Sequence, residues 1–146
     1  MLWTKFIQGE NIMGKNNKKR GMPKNVDPLS NAKVMSREGM KIIRNIAFGN
    51  FNFYNEGHVF RNPDFVSNTI LEVDKRILDA SIHITALNYA YPGTQEPSVL
   101  SLIHRDTKTY EGYMLVRQVL EGIIKTGDTR LLYTLMTRLP EYKYNL

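Results

Sequence analysis

Between Val66 and Tyr91, the apolar residues Val66, Ile70, Val73, Ile77, Ala80, Ile84, Leu87 and Tyr91 recur at intervals of 4, 3, 4, 3, 4, 3 and 4. An interval that alternates between three and four keeps all of these side chains on one side of an α-helix, because about 3.6 residues complete a turn. Just before them, Asn62 is a good N-cap, Pro63 fits the first helical position and Asp64 complements the helix dipole. Tyr91-Pro92-Gly93 ends the pattern. The spacing predicts a helix over 63–91, reaching roughly 40 Å at about 1.5 Å per residue. Phe65, Leu71, Leu78 and Ile82 flank the stripe and widen its apolar face. We therefore expect this helix at the centre of an intramolecular bundle, with a role between subunits as the alternative. The β-branched run Ser81-Ile82-His83-Ile84-Thr85 weakens helical propensity and marks a place for a kink.

The rest of the chain reads as shorter helices that could cover this one. Ser36-Arg37-Glu38-Gly39 starts a helix over 36–48, with Met40, Ile43 and Ala47 inward and Ile42 and Ile46 alongside. The next run, FNFYNEGHVF, sets Phe51, Phe53, Tyr54 and Phe60 around the turn signal Asn55-Glu56-Gly57. It reads as an aromatic-anchored loop or a marginal hairpin, and these four aromatics are candidate docking residues. Pro97 opens a short helix with Val99, Leu100 and Ile103 inward. A helix over 107–125 follows, carrying Tyr110, Tyr113, Val116, Leu120, Ile123 and Ile124 and stopped by Gly127. Asp128 caps a last helix through Leu132, Leu135, Met136 and Leu139, and the tail EYKYNL is frayed or docked by its tyrosines. The expected fold is all-α: a small helical bundle around one long central helix, over 31–140, followed by a tail over 141–146.

Residues 1–30 read differently. Lys5, Lys15, Lys18, Lys19, Arg20 and Lys24 stand against Glu10 and Asp27, so residues 1–28 carry 6 − 2 = +4 of the chain's formal +6. From Gly9 to Asn31, glycine, proline and asparagine are scattered among the lysines without periodicity. Such a segment buries too little apolar surface to offset the roughly 1–2 kcal/mol per residue lost on ordering a backbone. It is expected to be a flexible or extended basic arm, with Lys15, Lys18, Lys19, Arg20 and Lys24 contacting a protein partner or a polyanion. Whether translation starts at Met1 or Met13 is open at this level.

Several function classes find no support. With no cysteine there is no disulfide, thiolate metal site or cysteine nucleophile. No apolar run approaches the roughly 20 residues of a membrane span, and Lys5, Gln8, Glu10 and Asn11 interrupt the N-terminal apolar start, against a signal peptide. Asp79 and His83 could offer two ligands to a metal, but no third follows at suitable spacing. His104-Arg105-Asp106-Thr107-Lys108 resembles the protein-kinase catalytic loop. Glu111 stands where that loop needs its asparagine, and no glycine-rich loop precedes it, so the string reads as a polar connection between helices. Thr126-Gly127-Asp128 could be the turn of a helix-turn-helix, yet only Arg130, Thr134, Thr137 and Arg138 are free to read bases.

The expectation is a non-enzymatic structural or assembly protein without a cofactor. It would dock through its arm onto other protein subunits, including copies of itself. A bacteriophage virion component, capsid-associated or connector, suits this combination by architectural analogy, placing the chain in a virion or the host cytoplasm, soluble and away from the membrane. The alternative is a nucleic-acid-binding or regulatory helical protein whose arm contacts phosphates.

Overall fold

A computed structural model describes residues 28–146. Residues 1–27 lie outside the described residues, and with them Lys15, Lys18, Lys19, Arg20 and Lys24. The described residues form an all-α bundle of five helices. They are α1 (Pro28–Ala47), the single turn α2 (Phe53–Glu56), α3 (Pro63–Ala90), α4 (Pro97–Thr126) and α5 (Leu132–Arg138). Three 3₁₀ segments, Gly57–Arg61, Thr129–Leu131 and Leu139–Asn145, join or extend them.

α1 starts at Pro28, eight residues before the expected 36, so residues 28–30, placed in the arm by sequence, are helical. Proline is tolerated in a first turn, and no glycine or second proline interrupts the chain between it and Ser36. Ser36 therefore caps nothing; its hydroxyl donates instead to the Asn68 carbonyl of α3 at 3.0 Å. Met40, Ile43, Ile46 and Ala47 are buried as their spacing requires. The helix ends in a Schellman turn: Gly49, at φ 76°, donates to the Ile46 carbonyl at 3.1 Å, and Asn50 donates to Asn45 at 2.8 Å.

The aromatic run is neither a loop nor a hairpin but two short helical turns, α2 and Gly57–Arg61. Asn52 starts them by accepting hydrogen bonds from the Tyr54 and Asn55 amides at 3.0 and 3.2 Å. Winding the run brings Phe51, Phe60 and Phe65 into a chain of edge-to-face contacts, with ring centroids 6.4 and 5.5 Å apart. Period-two alternation over so few residues has no sheet to join here, and the rings find the core by helical winding instead.

α3 begins as expected: Asn62 accepts from the Asp64 amide at 2.9 Å and Pro63 occupies the first turn. It continues unbroken to Ala90, through the β-branched segment 81–85 whose weak helical propensity leaves continuity open in the sequence. The second long helix was expected as two pieces and is one, spanning His104 to Lys108 without a break. That string contains neither glycine nor proline, and the Thr107 hydroxyl returns a hydrogen bond to the Ile103 carbonyl at 2.7 Å. The fold is thus organised by a pair of long helices, of 28 and 30 residues, rather than by one central helix. They run antiparallel: Arg117 reaches Asp74 at 2.6 Å and Arg76 reaches the Tyr113 hydroxyl at 3.4 Å.

After Gly127, which is left-handed at φ 71°, Asp128 accepts from the Arg130 amide at 3.0 Å, and Leu132, Leu135 and Leu139 become fully buried. The tail is docked. Tyr113 donates to the Leu146 carbonyl at 3.0 Å and Thr109 to the Asn145 carbonyl at 2.8 Å, while Tyr144 of the tail itself remains exposed. Among the described residues, no helix is long and apolar enough to cross a membrane.

α1 and α3 approach closely at Gly39. A β-carbon there would overlap the Thr69 hydroxyl, whose own position is fixed by a 2.8 Å hydrogen bond to the Phe65 carbonyl. Gly39→Ala, which gains about 1 kcal/mol in an unobstructed helix, is therefore expected to destabilise the protein by roughly 1–3 kcal/mol through overpacking. Thermal unfolding followed by circular dichroism checks this, and a raised Tm would contradict the close crossing.

Candidate functional site

The core lies at one end of the α3–α4 pair. It gathers α1, the Phe51–Phe65 aromatics, α3 up to Ile77, α4 from Tyr113 onward and the leucines of the C-terminal segment. Within residues 78–111, only Ala80, Val99 and Asp106 are buried. The distal part of the pair is thus a two-helix hairpin held mainly by its own seam. From Ala80 to His104 it carries a single formal charge, Glu96, whereas charged residues make up 23% of the chain. Its exposed side chains include Leu78, Ile82, Tyr89, Tyr91, Leu100 and Leu102. Loss of charge together with exposed leucine and tyrosine is the composition of a contact surface rather than of a solvated helix.

α3 shows the same feature as geometry. Leu71, Leu78 and Ile82 do not widen the core face, as the sequence suggested; they are 60%, 60% and 53% exposed. Tyr89, 89% exposed, continues them at intervals of 7, 4 and 7. At about 100° per residue, these four lie within an arc of roughly 40°, and that arc is about 150° from the centre of the buried stripe. α3 is apolar on two nearly opposite sides, and α4 covers only one of them.

α1 presents a contrasting surface. Lys33, Arg37, Lys41 and Arg44 recur at intervals of 4, 4 and 3 and all four are exposed, forming one ridge about 16 Å long. Among the described residues none of the four is in an ion pair, and Glu38, the helix's sole acid, lies off the ridge. The cations elsewhere are largely engaged. Arg117 bridges Asp74 and Glu121, and its guanidinium is pushed above its ordinary range first by the hydrogen bond it donates to Asp74. Arg130 binds Asp128 at 2.9 Å, which holds that carboxyl below the usual range. The body's charge is nearly balanced in sum and unevenly placed in space. The sum concealed this ridge, although its spacing was available to find it.

The candidate docking aromatics separate. Phe51 and Phe60 are buried within the core, and Phe53 is half-buried, stacked on Tyr133 at 4.8 Å. Only Tyr54 is freely exposed, and its hydrogen bond raises the Tyr133 hydroxyl above its ordinary range. His58, His83 and His104 are all exposed, as is Asp79, and among the described residues no three metal-ligating side chains come together. An open groove of about 470 Å³ runs beside Tyr110, Met114, Arg117, Glu121, Arg138 and Tyr142. Within it Arg117 and Glu121 bind each other at 3.2 Å. The helix after Gly127 keeps seven α-helical residues and turns Leu132 and Leu135 inward, leaving little surface to enter a DNA groove.

Among the described residues Asp106 is the one buried carboxylate, and its near neighbour is the Arg105 guanidinium at 3.3 Å. Because one adjacent, largely exposed cation compensates poorly for desolvation, Asp106→Leu is expected to be neutral or to stabilise the protein by about 1 kcal/mol. Arg105→Ala should destabilise it. Urea unfolding of both variants checks the pair; a large loss in Asp106→Leu would instead reveal a required partner for the carboxylate.

No protein family, curated protein or solved structure matches this chain.

Proposed function

We propose that the chain is a non-enzymatic structural protein that takes its place in a larger assembly through protein–protein contacts. The observation that carries this reading is the hairpin over 80–104, which exposes leucine, isoleucine and tyrosine and holds one formal charge. Such a surface is costly to leave in water and ordinary between subunits. Its partners are other subunits and further copies of the chain, and the basic residues Lys15, Lys18, Lys19, Arg20 and Lys24 add a second contact. A virion component of a bacteriophage, capsid-associated or at a connector, is the assembly we favour, on architectural grounds. Fractionation of particles from the source on a density gradient tests it. The chain should co-sediment with particles at fixed stoichiometry; recovery solely as a free species would overturn the proposal.

A second reading has its own support in the ridge of Lys33, Arg37, Lys41 and Arg44, which is exposed and has no acidic partner among the described residues. On that reading α1 contacts nucleic-acid phosphates without base specificity. Duplex affinity would then fall roughly 10²-fold between 50 and 200 mM salt for about four phosphate contacts. Replacing the four ridge residues by alanine in the full chain should flatten the salt dependence by nearly four units of slope. Absence of duplex binding at 50 mM salt would remove this reading and leave assembly alone.

A further inference from the structure

We infer that α3 pairs antiparallel, along its outer stripe, with the α3 of a second copy of this chain; the inference deepens the assembly reading and rests on it for its biological purpose. The stripe of Leu71, Leu78, Ile82 and Tyr89 has the spacing of a helix–helix seam, with Lys75 and Thr85 at the intervening positions. It runs the length of α3 on the side away from its buried stripe, so a second helix can lie along it without disturbing the core.

Charge selects the occupant and its direction. Every formal charge of α3 lies between Asp64 and Asp79, and none lies between Ala80 and Ala90. A parallel pairing of two copies would set Lys75 on Lys75 and Asp79 on Asp79. An antiparallel pairing about a two-fold axis near position 80 matches Leu71 with Tyr89 and Leu78 with Ile82. It then places Asp74 opposite Ala86, Lys75 opposite Thr85 and Asp79 opposite Ser81. The charged half of one helix meets the uncharged half of the other, and no like charges oppose. The same arrangement is isologous, so one patch serves both copies and the contact closes at two.

The exposed area is of the right size. The four stripe side chains offer on the order of 600 Å² per copy, and the Lys75 stem with Thr85 extends this toward the roughly 800 Å² per partner buried in stable interfaces. α3 in the pair also gains the favourable opposition of antiparallel helix dipoles. The C-terminal half of α3, which among the described residues of one copy has only α4 beside it, acquires a second covering.

The absence of cysteine makes the register directly measurable. Leu71→Cys and Tyr89→Cys are prepared separately in the full chain; both positions are exposed, so neither change removes core packing. In the antiparallel register, position 71 of one copy lies beside 89 of the other and roughly 27 Å along the helix from the other 71. A short bismaleimide should therefore link an equimolar mixture of the two variants, and each variant alone at least tenfold less. Linking of Leu71→Cys to itself would overturn the antiparallel register. Sedimentation equilibrium of the unmodified chain should show a dimer that Leu78→Glu, with unchanged helical circular dichroism, returns to monomer. A monomer at 100 µM, or a dimer indifferent to Leu78→Glu, would overturn the pairing altogether. Dimers without co-sedimentation with particles would instead defeat the assembly reading and leave this inference standing.

Discussion

The stripe from Val66 to Leu87 can be kept from water only by something that runs its whole length, and among the described residues α4 is the one element long enough. That antiparallel seam organises the rest. At one end it is closed over by α1, by the edge-to-face rings of Phe51, Phe60 and Phe65, and by Leu132, Leu135 and Leu139. At the other end nothing among the described residues covers it, and the pair stands as a hairpin. The close crossing at Gly39 and the docked C-terminal carbonyls are consequences of the same demand, since α1 and the tail must lie tightly along helices already fixed against each other.

How much of this could be read in advance follows from which forces are local. Asn62-Pro63, Gly127 and Asp128 act through backbone geometry within a few residues, so the starts and stops they set were recovered from sequence. Errors arose where tertiary packing overrides propensity. The polar string at 104–108 looked like a connection because it lacks apolar residues, yet helix continuity requires only that nothing break it and that α3 lie alongside. The aromatics at 51–60 showed a period too short to distinguish strand from turn, and burial decided the outcome. Apolarity alone puts Leu71, Leu78 and Ile82 on one broad face with the stripe, whereas the helical wheel places them on the far side. The α1 ridge was hidden by summing charge along the chain, since a net of +2 outside residues 1–28 says nothing about four cations on one face.

Two surfaces of opposite chemistry result, one apolar and nearly uncharged on the hairpin, the other cationic on α1. On the proposed assembly reading these divide the work: α3 joins like to like, while α1 is left facing whatever anionic surface the assembly presents. Arg117 and Arg130 are bound to carboxylates, and the three histidines are exposed.

The central claim is that the hairpin over 80–104 is poorly held within one copy and completed by another. Hydrogen exchange measured across a range of protein concentration tests it most directly. The account predicts that, at low concentration, amides of 80–90 exchange through local opening well before those of Val66–Val73 and Val116–Ile123, and that they slow as concentration rises. Equal protection along all of α3, unchanged by concentration, would contradict it.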